Sequence, residues 1–282
     1  MLLCFLSRLI SITINLKTEI MKQIITGLFL TVSLFVNAQM VNITYVTVPR
    51  ENSETFLELH EKFMNLSNSK ERTITQSAIF AHAFAGDYTF AIYDSYNNMQ
   101  DLVNDAALAN EAMKKNVDAM ELDADAKDLL MGEYRNYSGM YAYNHSDQIR
   151  QNIGLEKLQF SIEDMDWSAK KVVVVSTYEV KWGMNQVFQE GIINGSLKDI
   201  KETGHAEAHF ASQHLYGSGA DFQTYQVFNS WSDFAAYEEA NLGGSMSDDD
   251  KKFWSSIEGH SDEILTLIGA MNKETKVFSY KK

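Results

Sequence analysis

The sequence predicts an α+β fold: two tandem β-α-β-β-α-β repeats packed sheet to sheet as a covalent pseudo-dimer. Three observations predict it. TFAIYDSY (89–96) and TYQVFNSW (224–231) match in size and character almost residue for residue, 135 positions apart. Their flanks match too, with Phe56 paired to Phe188 and His82 to His214 at an offset of 132. In both halves β-branched and aromatic runs alternate with helical periodicity in the same order.

In order, NITYVTVPREN reads as a first strand stopping at a turn, and VVSTYEVKWGM as its counterpart. A helix over 53–67 places Phe56, Leu59, His60 and Phe63 on one face, at i, i+3, i+4 and i+7. Its counterpart spans about 184–201, with Phe188 and Ile192 at matching positions. AFAGD and LYGSGAD are Gly-bearing hairpin turns between the second and third strands, and the change in offset from 132 to 135 predicts a three-residue insertion there. Helices follow the third strands, in MQDLVNDAALANEAMKKN and SDFAAYEEAN. The acidic runs DADAKD and MSDDDKK suit helix starts, where Asp favours the dipole. The last helical segment of the second half is expected within 248–268. The fourth strands are expected in GMYAYNH (139–145) and TKVFSYK (275–281), with a linker over 146–170. The repeats are thus 39–145 and 171–282.

Residues 21–38, MKQIITGLFLTVSLFVNA, carry a positive start, a short apolar run and a small-residue end, the three parts of an export signal. Residues 1–20 read as an upstream extension. The single cysteine, Cys4, would leave with the leader, so the mature chain has neither disulfides nor a lipid-accepting thiol. The expectation is an exported protein, periplasmic or extracellular, not a lipoprotein, with no membrane span in the mature chain. The net charge of −14 argues against a nucleic-acid partner, which needs a basic patch. The internal duplication predicts a monomer.

The strand ends VTVPREN and YEVKWGM, the helices after them and the paired strands ending YDSY and FNSW resemble the dimeric α/β-barrel family, a ferredoxin-like fold, here as a tandem duplication. The Val-x-Pro-Gly-type turn of many members is split here, with Pro49 in one half and Gly183 in the other. The resemblance implies a fold rather than one activity. The family includes cofactor-free quinol monooxygenases, haem-degrading and haem-using enzymes, and many proteins of unknown role.

Strand alternation puts Ala78, Phe80, His82 and Phe84 on one face, and Phe210, Ser212, His214 and Tyr216 on its counterpart. A histidine among aromatics suits haem iron or a base acting on a phenol. A half-buried histidine bonded to a neighbour is the structural alternative. The expected ligand-binding set is His82, His214, Phe84, Tyr216, Tyr225, Trp231 and His260, in a cleft between each sheet and its helices. Trp182 and Trp231 stand at strand ends, where aromatics close a cleft mouth or edge a core. His260, two residues before Asp262, could orient a proton transfer or sit on the surface at a helix end. His60 reads as core, because its counterpart Ile192 is a plain hydrophobe. His205, His209 and His214 are spaced too widely along a strand for one ion, and no metal is expected. The function expected first is binding of a small molecule, with no cofactor required. A monooxygenase-like or haem-associated oxidoreductase and a protein-interaction module are the alternatives.

Overall fold

The computed structural model describes residues 40–84, 86–163, 165–243 and 245–281. The expected leader, 1–38, lies outside the described residues. The first half runs β1 (Met40–Val46), α1 (Ser53–Leu66), β2 (Gln76–His82), β3 (Phe90–Tyr96), α2 (Met99–Ala119), α3 (Ala124–Tyr143) and β4 (His145–Gln151). After the short β5 (Phe160–Ser161) come β6 (Lys171–Val180), α4 (Asn185–Asn194), α5 (Ser196–Thr203), β7 (Ala206–Gly217), β8 (Phe222–Phe228), α6 (Trp231–Asn241), α7 (Asp248–Ser255), β9 (Ile257–Met271) and β10 (Phe278–Tyr280).

The strands lie in the order β9-β2-β3-β1-β4-β7-β8-β6, and β6 pairs back onto β9. All eight neighbours are antiparallel, so the sheet closes into a barrel without free edges. The two halves therefore meet edge to edge, β2 on β9 and β4 on β7, and their inner faces share one core. Ile43, Phe80, Val173, Val175, Val227, Leu265 and Leu267 fill that interior. Outside the barrel, α1 buries Phe56, Leu59, His60 and Phe63, the four residues its periodicity selects. Caps fix the helix starts. Asn98 accepts from the Asp101 amide, Asp123 from Ala126, Ser230 from Asp233, and Ser247 and Asp250 form a reciprocal capping box. The two acidic runs are helix starts, as expected.

Several boundaries differ from the sequence expectation. Residues 139–143 continue α3, and the fourth strand of the first half is β4, which with β5 occupies most of the regular structure in 146–170. In the second half the fourth strand is β9. Helix covers only 248–255 of the expected segment, and 275–281 supplies β10, an extra strand outside the barrel on β9. The helix expected over 184–201 breaks into α4 and α5 at Gly195.

The hairpins contain no insertion. Ala81 opposes Phe90 as Gln213 opposes Phe222, and Ile43 opposes Tyr93 as Val175 opposes Tyr225 (222 − 90 and 225 − 93 both give 132). The structural partner of TFAIYDSY is thus DFQTYQVF (221–228), three residues before the stretch that looks most like it. Aromatic and β-branched residues fill both registers, so composition alone does not separate the two frames.

Candidate functional site

Alternation along β3 turns Phe90, Ile92, Asp94 and Tyr96 outward, toward the helices. Three of them belong to the apolar core under α1 and α3. Asp94 is the exception. Ser77 on β2 and Asn42 on β1 lie beside it in register. One Asp94 carboxylate oxygen is buried without a hydrogen-bond partner. Burial pushes its carboxyl up to about 6, although the Ser77 hydroxyl and the Arg72 guanidinium pull the other way. Arg72 is committed elsewhere, its Nε donating to Asp105 at 2.8 Å and its Nη2 to the second Asp105 oxygen.

Next to Asp94 the sheet carries a polar chain. β4 opens with His145-Ser146-Asp147, and His145 Nε2 lies 3.4 Å from the Asp147 carboxylate. The Thr44 hydroxyl donates to Asp147 at 2.6 Å. The Asn42 amide donates to Thr44 Oγ1 at 3.1 Å and reaches Asp147 at 3.5 Å. Tyr141, at the end of α3, sets its ring 5.8 Å from that of His145. Burial pushes the Tyr141 phenol up, so it remains a hydrogen-bond donor. This polar row runs from exposed His145 and Asp147 to half-buried Asp94. It offers a carboxylate that titrates near neutrality, an imidazole–carboxylate pair and a phenol, the components of proton transfer.

The second half repeats part of this. HSDQI (145–149) and HSDEI (260–264) occupy the same rung, since His145 opposes Val46 and His260 opposes Tyr178. His260 Nε2 lies 3.2 Å from Asp262, and its ring packs 4.7 Å from Tyr178 and 5.1 Å from Trp254. His260 is therefore on a strand, with the carboxylate partner that its spacing suggested, and not at a helix end. Where the first half has Asp94 the second has Gln226, whose amide reaches the Tyr237 hydroxyl at 3.5 Å. The HSD repeat was visible in the sequence. The two copies lie on the fourth strands, which the sequence places elsewhere, so their shared rung emerges only from the fold. Asp94 carried a signal too, as the one charge on an otherwise apolar strand face.

The other expected residues lie elsewhere. His82 and Tyr225 face the barrel side, not a sheet–helix cleft. The Tyr88 hydroxyl donates to Glu263 at 2.5 Å, and His82 Nε2 lies 3.5 Å from that carboxylate. His82 Nδ1 is 2.5 Å from the Phe84 carbonyl oxygen. His214 Nε2 is 3.0 Å from the Gly217 carbonyl oxygen. The Nε2 of each already lies near a protein oxygen, so serving haem iron through that nitrogen would give up the contact. Phe84 and Trp231 come together at 6.0 Å on the surface, and Tyr216 is exposed. Trp182 is fully exposed. His60 is buried, with Nδ1 2.9 Å from the Tyr137 hydroxyl. Among the described residues no group of three or more His, Cys, Asp or Glu is arranged to hold a metal ion, and no helix is long and apolar enough to cross a membrane.

No protein-family model matches the sequence, and no curated protein is similar to it. Solved structures are similar in fold. An anthrone oxidase-like protein matches with a TM-score of 0.55 at 11% identity, over 85% of this chain and 95% of its own. A putative monooxygenase from Lactobacillus acidophilus matches at 0.50 and 8% identity, over 81% and 93%. Another, from Fusobacterium nucleatum, matches at 0.49 and 14% identity, over 87% and 98%. At these identities the likeness is one of fold: a dimeric α/β barrel, here closed within one chain.

Proposed function

We propose that this protein binds a small aromatic molecule carrying an acidic hydroxyl or C–H group in the groove of its first half, and that Asp94 takes the proton. The observation that carries the reading is the Asp94 carboxyl. It is pushed up to about 6 by burial and has one oxygen unpartnered. A base is most useful when its pKa lies near the working pH. Asn42, Thr44 and the His145–Asp147 pair would position the ligand's polar end, and Tyr141 would cover its ring. His260 with Asp262 and Trp254 forms a corresponding second groove without such a carboxylate. The matched strand orders and the HSD repeat support a tandem duplication. The expected leader at 21–38 supports export, and the barrel closed within one chain supports a monomer.

A second reading is oxidation without a cofactor, favoured by the same carboxylate. An anion made from a CH₂ group held between aromatic rings is electron-rich enough to react directly with dioxygen. The CH₂ becomes C=O, and the second oxygen atom leaves as water. The monooxygenase and anthrone oxidase-like names of the similar structures agree with this chemistry, though they share only the fold. The test is to mix the protein with anthrone and record absorption without oxygen, then oxygen uptake in air. Appearance of the anthrone anion with an apparent midpoint near pH 6, lost in Asp94→Asn, supports binding with proton abstraction. Oxygen uptake in addition supports the oxidase reading. Equal spectra for wild type and Asp94→Asn would defeat both.

A further inference from the structure

We infer that the barrel itself encloses a second binding site, a chamber for a small neutral aromatic molecule bearing one hydrogen-bond-accepting oxygen, walled by Val41, Tyr93, Phe210, Tyr225 and Trp167. The interior is not the uniform apolar core its closure would allow. Four tyrosines, Tyr45, Tyr88, Tyr93 and Tyr225, bring their hydroxyls into it or to its mouth. Three have partners. Tyr225 donates to Gln223 Oε1 at 2.7 Å and lies 3.1 Å from the Ser212 hydroxyl. Tyr45 accepts from Gln223 Nε2 at 3.3 Å. Tyr88 donates to Glu263. The fourth, Tyr93, has a buried hydroxyl that faces the Tyr225 phenol but has no hydrogen-bond partner within 3.5 Å. Such a group costs about 1–3 kcal/mol unless something meets it.

The surroundings leave room. Val41, Tyr93, Phe210 and Tyr225 pack on the interior cluster, yet each keeps part of its surface accessible. On inward-facing side chains that surface marks space left within the barrel or at its mouth. The Tyr93 and Tyr225 rings meet edge to face at 5.9 Å, and Phe80 meets Tyr93 at 5.0 Å. Trp167, ahead of β6, stacks on Phe210 at 6.3 Å and forms part of the wall. Aromatic faces and edges of this kind accept a ring, and the Tyr93 O–H supplies the one directional contact. The groove outside the barrel is separate, because Asp94 points to the other face of the same strand.

The probe is nitrobenzene, which is neutral, has no proton for Asp94 to take, and quenches tryptophan fluorescence. The three other tryptophans are exposed at 43% or more, so Trp167 is the half-buried reporter. Titration of the full chain should show saturable quenching of a blue-shifted component that Trp167→Phe lacks. Tyr93→Phe should weaken binding roughly three- to tenfold with an unchanged circular dichroism spectrum. Val41→Phe should abolish binding by occupying the space, and Asp94→Asn should leave it as in wild type. Unsaturable quenching confined to the exposed tryptophans would overturn the inference. So would binding unaffected by both Tyr93→Phe and Val41→Phe, the result expected if only a trapped water meets Tyr93.

Discussion

Asp94→Asn should stabilise this protein at pH 8 and leave it unchanged at pH 4. The carboxyl is held at about 6 in the folded state by burial, against about 3.9 in an unfolded chain. Folding therefore favours its protonated form. That contribution is intact below about pH 4 and is lost as pH rises through 6. Above pH 6 the ionised group costs ~3 kcal/mol, at 1.36 kcal/mol per pKa unit. Asparagine keeps the shape and hydrogen-bonding capacity but carries no charge. Urea unfolding of both proteins from pH 4 to 8 reads the difference directly. Other groups titrate in the same window, but they cancel between the two proteins. The expected curve is flat near zero at pH 4 and rises to 1–3 kcal/mol in favour of the variant by pH 7. A pH-independent difference, or a less stable variant at pH 8, would show that Asp94 is not a strained carboxylate and would remove the basis for its role as base.

Three further outcomes are expected. His60 and His209 are buried and neutral, each pushed down to about 4 by desolvation, so stability should fall as pH drops from about 6.5 to 4; His60→Ile should soften that fall while losing about 1 kcal/mol at pH 7 with its Tyr137 hydrogen bond, measured by the same unfolding series. Asp105→Ala strands the Arg72 guanidinium, which is 8% exposed in its side chain, and should cost about 3–5 kcal/mol in a thermal or urea melt; a loss under 1 kcal/mol would contradict the buried pairing. The fragment 39–151 on its own exposes the β2 and β4 edges that β9 and β7 cover in the whole chain, so it should associate or precipitate, whereas the whole chain should sediment as a monomer; a well-behaved monomeric fragment would refute the edge-closure argument.

Much of the fold was legible because its signals are local. The α1 core positions follow from a 3.6-residue period, and the acidic helix starts follow from capping chemistry. The fourth strands were not legible. GMYAYNH has strand-like residues but continues a helix, since Tyr137, Met140 and Tyr141 pack against the helix-side core at helical spacing. β4 reads as polar because its outward face is open and its inward face carries Gln148 and Arg150. The buried Arg150 is satisfied by Ser212, Gln148 and the carbonyls of Ala220 and Asp221. No local rule anticipates a fully buried arginine in a strand. The site was legible only in part, since His260 with Asp262 could be proposed from spacing. Asp94 stands out in the sequence only as the one charge on an apolar strand face, because its perturbation needs Ser77, Asn42 and the helices brought together by the closed sheet.

The same register sets different residues at corresponding positions of the two halves. On corresponding rungs, Asp94 stands against Gln226, Ser77 against His209, and Gln148 against Glu263. Gln226 carries no charge, and its amide reaches Tyr237. His209 is held by the Leu158 carbonyl at 2.7 Å and is fully buried. The second half therefore has the rim pair, His260 and Asp262, but Gln226 and His209 at its floor are engaged in structural contacts. The first groove keeps both rim and a carboxylate floor. Inside the barrel the asymmetry reverses, with the carboxylate, Glu263, contributed by the second half and engaged by Tyr88 of the first. Two halves of one chain need not carry the same site. Proton chemistry is expected in the first groove, so a variant of His145 or Asp147 should impair it where the matching change at His260 or Asp262 does not.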